Sequence, residues 1–523
     1  MTDAHMMGGP EMAPQTPQGS GRPGEPVAPR DPPQSSGRPG EPVAPRDPLQ
    51  SSGRPGEPGP PLDLAAWLAR QRWFAGKTRR IVATTVDDRL PVGGATLCVL
   101  RVGLDDGSVD RYVVTLGRGA DVVDALDDPE FCRALLDVVA RAGEIRGQRG
   151  RLTGRRGRAF VPTLGTAASV RRIAGEQSNT SVVFGEALIM KVFRRLADGL
   201  NPDLEITRFL TEHTSFDGTP RLAGALEYLA RDGGVATLAV LQEFVADGRD
   251  GWRFVLERLD AGDHALVALT RLGERTGQLH AALATPAADA AFGAEPITAA
   301  DVAAWAVGVQ RQVAAAREAA RGHALPDVPD VIGPAGLGSL VGRVKIRHHG
   351  DFHLGQTLAI GDGRDFAIID FEGEPLRPLE ERRRKHTPLR DVAGMLRSIG
   401  YAAATARLAA VERRRWETDA RAAYLSAYRA ATAGARFVPE SDDAFARVLA
   451  VLEVEKAAYG RQHGRWRRLV LLRGGAGRHL RYGGVVGREH GVHAAPAGRP
   501  SEAVALTKPA RGISTQSGRL FAS

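Results

Sequence analysis

Two short stretches in the second half of the chain carry residue types that can transfer a phosphoryl group. The first is RHHGDFHLGQTL at 347–358, in which Asp351 follows a glycine and Gln356 stands five residues later. The second is AIIDFEGEP at 367–375, in which Asp370 ends an apolar, strand-like run. Phosphoryl transfer needs one carboxylate to orient a hydroxyl group and accept its proton, and it needs hard oxygen ligands for Mg²⁺. The two stretches supply groups of these kinds.

The residues upstream are in the order that such a site requires. Lys191 lies within the apolar strand-like run ALIMKVF, where a lone charge is costly without a partner. A helix is predicted over 201–213, because Asn201 can cap it and Pro202 suits its first position. Glu205 on that helix is the expected partner of Lys191. A strand lysine, a helix glutamate, a loop aspartate and a later Asp-Phe pair follow one another as in a protein-kinase-like fold.

The composition indicates a cysteine-poor cytoplasmic protein. Hydrophobic residues make up 43% of the chain, and no apolar run approaches the roughly 18 to 20 residues of a membrane helix. The N-terminus lacks the basic and apolar regions of a secretory signal. The two cysteines, Cys98 and Cys132, show no metal-ligand spacing and no disulfide framework. We therefore expect no membrane association.

The net charge of +9 is concentrated at one end of the chain. Residues 460–523 contain twelve Lys or Arg and two Asp or Glu, an excess of ten, so the rest of the chain is close to neutral. No recognisable nucleic-acid-binding motif accompanies this basic tail. We therefore expect no nucleic-acid partner, although binding through the tail is one alternative that the charge leaves open.

Changes in composition divide the chain into five parts. Residues 1–60 repeat GRPGEPVAPRDP with a 16-residue period, and this Pro/Gly-rich text predicts a disordered tail. An α/β cap subdomain is predicted over 61–160, with strands on either side of the turn at 105–107. A β-rich nucleotide lobe follows over 161–247, with a hairpin turn at Gly185-Glu186. A mostly helical lobe at 248–459 and a basic tail at 460–523 complete the chain.

Seven stretches between about 61 and 459 resemble the bacterial maltokinases, which are relatives of the aminoglycoside and choline phosphotransferases. The resemblance implies an α+β, bilobal, protein-kinase-like fold with an N-terminal cap. The motifs HLGQ and DFEGEP separate the maltokinases from ordinary HGDxHxxN phosphotransferases. In those enzymes the metal-binding amide is usually Asn, whereas this chain has Gln356. The stretches are QRWFAGK (71–77), EQSNTSVVFGEALIMKVFRRL (176–196), NPDLE (201–205), QEFV (242–245), HGDFHLGQ (349–356), IIDFEGEPLRPLEERRRKHTPLRDVAGMLRS (368–398) and VEKAAY (454–459).

The resemblance implies ATP-dependent phosphorylation of maltose at its anomeric hydroxyl, giving maltose 1-phosphate for glycogen and α-glucan synthesis. Asp351 would be the catalytic base, and Gln356 and Asp370 would bind Mg²⁺. Lys191 would contact the α- and β-phosphates and would be held by Glu205. An association with an enzyme that isomerises trehalose to maltose is a further implied partner.

The resemblance also implies three groups of binding residues. The first would cover the phosphates in place of a glycine-rich loop: Gln177, Ser178, Asn179 and Thr180. The second would form the hinge beside the adenine: Gln242, Glu243, Phe244 and Val245. The third would contact the sugar together with Asp351: Lys456 and Tyr459.

Two further features stay open at this stage. His349 is expected to orient its loop rather than to perform chemistry, and His353 is similarly ambiguous. The basic run at 382–385 is expected to be solvated or paired with carboxylates.

The similarity to maltokinases stops after about residue 459, where Arg/Gly-rich text begins, so a shifted frame or a replaced terminus is expected there. Alternatives are therefore a kinase of another sugar or of an aminoglycoside, and a kinase-like protein that binds its ligands but turns over poorly.

Overall fold

The computed structural model describes residues 63–117, 124–161, 169–173, 178–319, 333–375, 377–462, 470–473 and 480–483. The expected repeat tail at 1–60 and Gln177 lie outside these residues, as does most of the basic tail. None of the described helices combines the length and the apolar character needed to cross a bilayer. The division into five parts stays a prediction.

The N-terminal half is rich in β-structure. Its helices and strands, in chain order, are α1 (Leu64–Arg70), β1 (Ile81–Val92), β2 (Ala95–Leu104), β3 (Val109–Leu116), α2 (Pro129–Ala140), β4 (Glu144–Arg146), β5 (Gly150–Arg156), β6 (Val170–Arg172), β7 (Asn179–Phe184), β8 (Leu188–Phe193), β9 (Arg195–Leu196), α3 (Pro202–His213), β10 (Leu222–Ala230) and β11 (Val235–Glu243).

The C-terminal half is mostly helical. Its elements are β12 (Arg249–Asp250), α4 (Gly251–Asp260), α5 (Leu266–Leu283), β13 (Glu295–Pro296), α6 (Ala299–Ala319), α7 (Pro334–Leu337), β14 (Val344–Lys345), β15 (Thr357–Ile360), β16 (Asp365–Ile368), α8 (Leu379–Arg382), α9 (Leu389–Thr405), α10 (Ala410–Ala431), α11 (Asp442–Gln462), β17 (Val470–Arg473) and β18 (Leu480–Gly483).

Two antiparallel sheets form the N-terminal half. The first has the order β1-β2-β3-β9, and the expected turn between β2 and β3 is confirmed, with Gly107 at φ +79°. The second has the order β4-β5-β10-β11-β8-β7-β6. The expected β7–β8 hairpin is confirmed, and its Gly185 has a φ of +59°, a backbone conformation that residues with a Cβ rarely adopt. Strands β4 and β5, which fall in the predicted cap, belong to this second sheet.

A single hydrophobic cluster joins the two sheets. It contains Leu97 from β2, Phe131 from α2, Met190 from β8 and Leu226 from β10, and all four side chains are buried. The two sheets therefore share this cluster, while the other face of the first sheet packs on another cluster that includes Trp67, Leu100 and Tyr112. Apolar burial of this kind is the main favourable term in folding.

Helix α3 begins where the sequence predicts. The Asn201 side chain accepts a hydrogen bond of 2.9 Å from the backbone N–H of Asp203, and Pro202 occupies the first helical position. Such a cap satisfies one of the N–H groups that lack a partner within the helix. The position at which the helix starts determines which of its acidic side chains, Asp203 or Glu205, faces β8.

The helical lobe surrounds a second, larger core. Helix α5 packs closely on α10, because a Cβ at Gly273 would lie only 2.2 Å from the carbonyl oxygen of Tyr424. Helix α9 lies at the centre of the lobe, and Val392, Leu396 and Ile399 on it are fully buried. These helices form the base on which the two stretches singled out in the sequence are placed.

Candidate active site

Lys191 on β8 is held among three carboxylates. Its Nζ lies 3.0 Å from Oδ2 of Asp203, 2.5 Å from Oδ1 of Asp370 and 2.7 Å from Oε1 of Glu372. Burial alone would lower the pKa of Lys191, but these carboxylates raise it well above its ordinary value. The side chain is therefore a fully charged ammonium group placed to attract an anion.

The expected pair between Lys191 and Glu205 is wrong. Asp203 and Glu205 are two residues apart on α3, which separates them by about 200° around the helix axis. Asp203 faces Lys191, whereas Glu205 accepts hydrogen bonds of 2.8 Å from Nη1 of Arg347 and 2.8 Å from Nη2 of Arg383. Glu205 therefore joins α3 to the helical lobe and does not hold the lysine.

Gln356 and Asp370 lie in direct contact. The side-chain amide of Gln356 donates to Oδ2 of Asp370 at 2.7 Å, and the backbone N–H of Ile369 donates to the backbone oxygen of Gln356 at 3.0 Å. Asp370 has a φ of +68°, a strained conformation for a residue with a side chain, and such strain is typical of functional positions. The structure thus brings together two of the residues that the sequence predicts as metal ligands.

The acidic groups around Asp370 fit a divalent cation. One oxygen each of Asp203, Asp370 and Glu372 lies within 4.8 Å of the other two. Burial raises the pKa of Glu372, and Asp370 and Asp203 raise it further against the influence of Lys191. Three carboxylates around one ammonium leave a surplus of negative charge, and hard oxygen donors are what Mg²⁺ prefers. Neither Asp203 nor Glu372 belongs to the metal ligands predicted from the sequence.

Asp351 lies in a loop whose backbone is fixed by a carboxylate from α9. The backbone N–H groups of His349 and Gly350 donate to the two oxygens of Asp391, at 2.7 and 2.9 Å. Gly350 has a φ of +90°, which a residue with a Cβ rarely adopts. Asp391 therefore sets the conformation of the loop immediately before Asp351.

The same loop packs against the stretch that contains Asp370. Nε2 of His349 lies 2.9 Å from the backbone oxygen of Ile369, and a Cβ at Gly350 would lie 3.1 Å from Cα of Gly373. The first distance agrees with an orienting role for His349. Gly350, which immediately precedes Asp351, therefore packs against the stretch at 367–375.

Helix α9 presents an unusual face to the loop. Besides Asp391, Ser398 accepts from the backbone N–H of Leu354 at 3.1 Å. A Cβ at Gly394 would lie 2.5 Å from the backbone oxygen of Phe352, so the helix approaches very closely there. Positions 391, 394 and 398 share one helix face. Because Arg390 and Arg397 also interrupt the apolar residues of this helix, small and polar residues at that spacing do not by themselves reveal this support in the sequence.

The residues expected to cover the phosphates divide between two faces of the sheet. Ser178 is exposed, and the side-chain amide of Asn179 donates to Oε1 of Glu372 at 2.6 Å. The expectation for the Thr180 side chain is wrong. Thr180 pairs with Val192, so it faces away from Lys191, and its Oγ1 accepts from Nε of Arg194 at 2.9 Å.

The predicted hinge at 242–245 follows the last long strand of the sheet. The Gln242 side chain is buried and donates to Oγ1 of Thr207 at 3.4 Å, and the backbone N–H of Phe244 donates to the oxygen of Ala187 at 2.8 Å. The first contact ties the hinge to α3 and the second ties it to the β7–β8 hairpin. The role of this segment beside the adenine stays a prediction.

Lys456 on α11 lies beside the loop of Asp351, and Tyr459 lies one turn further along the same helix. The buried Nζ of Lys456 donates to the backbone oxygen of Gly350 at 2.9 Å and contacts Oε1 of Glu374 at 2.7 Å. The guanidinium group of Arg377 lies 5.2 Å from the ring centroid of Tyr459. Here Lys456 supports the catalytic loop, and its expected contact with a sugar stays a prediction.

Three of the four residues in the basic run at 382–385 are paired with carboxylates, as expected, and Nη1 of Arg382 donates to the backbone oxygen of Glu372 at 2.9 Å. Arg383 contacts Glu205 at 2.8 Å, and Arg384 contacts Glu380 at 2.8 Å. Lys385 contacts Glu295 at 2.5 Å.

Comparison with known proteins identifies the family. Residues 67–136 match the family model described as the maltokinase N-terminal cap domain. A glucosamine kinase of Streptacidiphilus jiangxiensis is 31% identical over 361 residues, which cover 65% of this chain and 72% of that protein. This chain belongs to the same family of maltokinase-like sugar kinases. A glucosamine kinase of Mycolicibacterium smegmatis (strain ATCC 700084 / mc(2)155) is 32% identical over 255 residues, or 46% of this chain and 61% of that protein.

Solved structures confirm the fold of this sugar kinase. A crystal form of a glucosamine kinase matches with a TM-score of 0.55 and 27% identity, covering 73% of this chain and 90% of the other. A glucosamine kinase in complex with glucosamine, ADP and inorganic phosphate matches with a TM-score of 0.54 and 25% identity, covering 77% of this chain and 95% of the other. The expected α+β, kinase-like fold with an N-terminal cap is therefore confirmed, as is membership of a family of ATP-dependent sugar kinases.

Proposed function

We propose that this sugar kinase transfers the γ-phosphoryl group of ATP to the anomeric hydroxyl of maltose, with maltose 1-phosphate and ADP as products. The observation that carries the proposal is the joined set of Lys191, Asp370 and Gln356, against which the loop of Asp351 packs. An ammonium group, metal-binding oxygens and a loop carboxylate are the groups that phosphoryl transfer requires.

The nucleotide end of the site would work through charge. Lys191 binds the α- and β-phosphates, and Asp203 holds the ammonium group in position from α3. Gln356 and Asp370 would hold Mg²⁺, and the surrounding carboxylates of Asp203 and Glu372 match its preference for oxygen donors. When bound, the metal supplies positive charge that offsets the negative charge of the phosphates.

Asp351 would act on the acceptor. Its carboxylate orients the sugar hydroxyl and takes up the proton as the new O–P bond forms and the bond to the departing ADP oxygen breaks. A sugar hydroxyl is a weak nucleophile at neutral pH, so positioning supplies much of the acceleration. The two hydrogen bonds from the loop backbone to Asp391 provide that positioning for Asp351.

The charges beside the loop favour a neutral acceptor. Glu374 contacts Lys456 and Arg377, and Glu455 accepts from Arg390 at 2.7 Å. Burial opposes ionisation of Glu374, yet these cations hold its pKa well below the ordinary range. Both carboxylates are thus already compensated by cations, so neither is placed to balance the ammonium group of an amino sugar. This observation favours a neutral sugar, such as maltose, over an amino sugar.

Glucosamine is the second candidate acceptor, because the two curated relatives and the two solved structures are glucosamine kinases. Acceptance of glucosamine would require a carboxylate elsewhere to balance its charge. With maltose as the acceptor, a trehalose-to-maltose isomerising enzyme would be the natural supplier of substrate. The product would then enter α-glucan synthesis in the cytoplasm.

The two acceptors are separated by measuring ADP release and the phosphorylated product with purified protein, Mg²⁺, ATP and one sugar at a time. We expect maltose to give a phosphorylated disaccharide without a free reducing end, and glucosamine to give a much lower rate. Efficient turnover of glucosamine without turnover of maltose would support the second candidate. ADP release that no sugar stimulates would contradict both.

A further inference from the structure

Arg382, the last residue of α8, differs from its neighbours in the basic run at 382–385. The three neighbours pair with carboxylates, whereas Arg382 forms no ion pair with the residues that the structure describes. Its Nη1 donates instead to the backbone oxygen of Glu372 at 2.9 Å. The half-buried side chain of Arg382 therefore carries a charge that no carboxylate contacts directly in the described part of the chain.

The aliphatic part of the Arg382 side chain covers Gly373, in the stretch that contains Asp370. A Cβ at Gly373 would lie 3.6 Å from Cβ and from Cγ of Arg382. Gly373 also approaches the catalytic loop closely, since a Cβ at Gly350 would lie 3.1 Å from its Cα. Gly350 immediately precedes Asp351. Arg382 is therefore separated from the loop of Asp351 by Gly373.

The residue that accepts from Arg382 is also contacted from the nucleotide lobe. Oε1 of Glu372 lies 2.7 Å from Nζ of Lys191 on β8, and it accepts from the side-chain amide of Asn179 on β7 at 2.6 Å. Glu372 belongs to the acidic group that fits a divalent cation. Arg382 consequently reaches the nucleotide end of the site from the helical lobe.

The charge of Arg382 acts on the same acidic residues. Burial lowers the pKa of the Arg382 guanidinium, the carboxylates of Glu372 and Asp370 oppose this shift, and Arg195 on β9 adds to it. An arginine stays protonated at neutral pH in spite of such influences. Arg382 thus places a permanent positive charge within electrostatic range of two acidic side chains that fit the metal.

The guanidinium group of Arg382 also has a donor that the described residues do not use. Its Nε is shielded from solvent and has no hydrogen-bond partner in the described part of the chain. Buried polar atoms are normally paired, so this nitrogen is a donor suited to a ligand. A guanidinium group presents five N–H donors, and phosphoryl oxygens accept from it in pairs.

We propose that Arg382 is a further catalytic residue, which binds the γ-phosphoryl group of ATP from the helical lobe. The inference rests on the proposed transfer from ATP and is independent of which sugar is the acceptor. The γ-phosphorus must lie between the metal held by Asp370 and the hydroxyl oriented by Asp351, and Arg382 lies close to both of these residues. Since Lys191 is assigned to the α- and β-phosphates, Arg382 supplies a cation to the group that moves.

The role of Arg382 in the reaction is electrostatic. The bond from the γ-phosphorus to the bridging oxygen breaks, and that oxygen leaves with ADP. The new bond forms to the sugar oxygen, whose proton passes to Asp351. Arg382 donates hydrogen bonds to the non-bridging oxygens throughout and exchanges no proton. A cation placed where charge develops in the transition state lowers the barrier.

Titration with two nucleotides separates a γ-phosphate contact from a structural role of Arg382. ADP and a non-hydrolysable ATP analogue are each titrated calorimetrically into the wild type and Arg382→Gln, with Mg²⁺ and without sugar. We expect Arg382→Gln to weaken binding of the analogue about tenfold or more and to change ADP affinity by less than about twofold, because ADP lacks the contacted group.

Arg384→Gln is the matched control, because Arg384 is an exposed member of the same run and pairs with Glu380. It should bind both nucleotides like the wild type. Arg382→Lys keeps a positive charge, so it should retain more of the preference for the analogue than Arg382→Gln. In turnover with the sugar that the wild type phosphorylates fastest, kcat of Arg382→Gln should fall about 100-fold or more while the KM for the sugar changes little.

Other outcomes of these titrations would contradict the inference. Equal weakening of ADP and the analogue in Arg382→Gln would show that Arg382 supports the stretch at 367–375 and does not bind the γ-phosphoryl group. Unchanged affinities, or the same loss in Arg382→Lys and Arg382→Gln, would show that its charge does not act on the nucleotide. A wild type that binds neither nucleotide would contradict the proposed function as well, so the two failures are distinguishable.

Discussion

The ammonium group of Lys191 is compensated by an aspartate from the first turn of α3. Asp203 is fully buried, contacts Lys191 at 3.0 Å, and also accepts from the backbone N–H of Phe371 at 3.1 Å. It therefore connects the nucleotide lobe with the stretch that begins at Asp370. Glu205, two residues further on, instead pairs with Arg347 and Arg383 of the helical lobe. We therefore expect removal of the charge of Asp203 to affect nucleotide binding, and removal of the charge of Glu205 to affect stability.

We expect Asp203→Asn to weaken binding of an ATP analogue about tenfold or more, because a hydrogen bond between charged groups contributes about 1.5–3 kcal/mol. Glu205→Gln is the matched control. It should leave nucleotide affinity nearly unchanged and lower the melting temperature, since Arg347 and Arg383 lose their charged partner. Titration with the analogue and thermal unfolding measure the two effects. If Glu205→Gln lost more nucleotide affinity than Asp203→Asn, Glu205 rather than Asp203 would be the partner that holds Lys191.

Helix α11 acts on the active site through its contact with the catalytic loop. Lys456 joins Gly350 to Glu374, and all the charged atoms involved are buried. Loss of Lys456 would leave Glu374 with Arg377 as a partner, so the expected cost is below the about 3–5 kcal/mol of a buried charge that loses its whole compensation. The helix is therefore both a structural support and a determinant of loop position.

Lys456→Met should lower both the free energy of unfolding and kcat. The double variant Lys456→Met/Glu374→Gln should recover part of the stability, because it restores the charge balance of a cluster in which Glu374 keeps Arg377 as a partner after Lys456 is lost. Arg447→Met, at an exposed position of the same helix, is the control and should change neither quantity. Denaturant unfolding and steady-state kinetics provide the measurements. An increased KM for the sugar with unchanged stability would instead show that Lys456 binds the acceptor.

Elements with a strong local signal could be predicted from the sequence. The hairpin at Gly185-Glu186 and the start of α3 follow from turn and capping residues. The partner of Lys191 could not be predicted, because it depends on the rotation of α3 relative to β8. The support from Asp391 could not be predicted either, since a side chain that binds the backbone 41 residues away leaves no local pattern.

At the scale of the whole molecule, the cap and the nucleotide lobe share a hydrophobic cluster. Strand β5 pairs with β10, about 70 residues further along the chain, through the register that joins Arg155 to Ala225, and β4 pairs with β5. Changes in composition cannot reveal such a pairing, so the boundary placed at residue 160 separates strands of one sheet. The helical lobe has its own core, and buried His348 belongs to it.

The buried state of His348 makes the folded protein sensitive to acid. Burial lowers the pKa of His348 from 6.5 to about 3, so the unfolded chain takes up a proton that the folded chain does not. The stability that depends on the neutral ring is thus fully present above pH 6.5 and is lost as the pH falls towards 3.

At pH 5 this loss amounts to about 2 kcal/mol. We expect the free energy of unfolding to fall by about that much more in the wild type than in His348→Leu between pH 7.5 and pH 5. Urea unfolding of both proteins at the two pH values measures the difference. Equal losses in the two proteins would contradict it.

The central claim is that the loop carboxylate of Asp351 acts at a site built from Lys191, Gln356 and Asp370. The most direct measurement is the sugar-dependent rate of ADP release by Asp351→Asn, with Asp362→Asn in the exposed β15–β16 turn as the control. We predict a loss of about 100-fold or more with nucleotide affinity retained, and no loss in the control. An Asp351→Asn protein that keeps more than about a tenth of the wild-type rate would contradict the assignment.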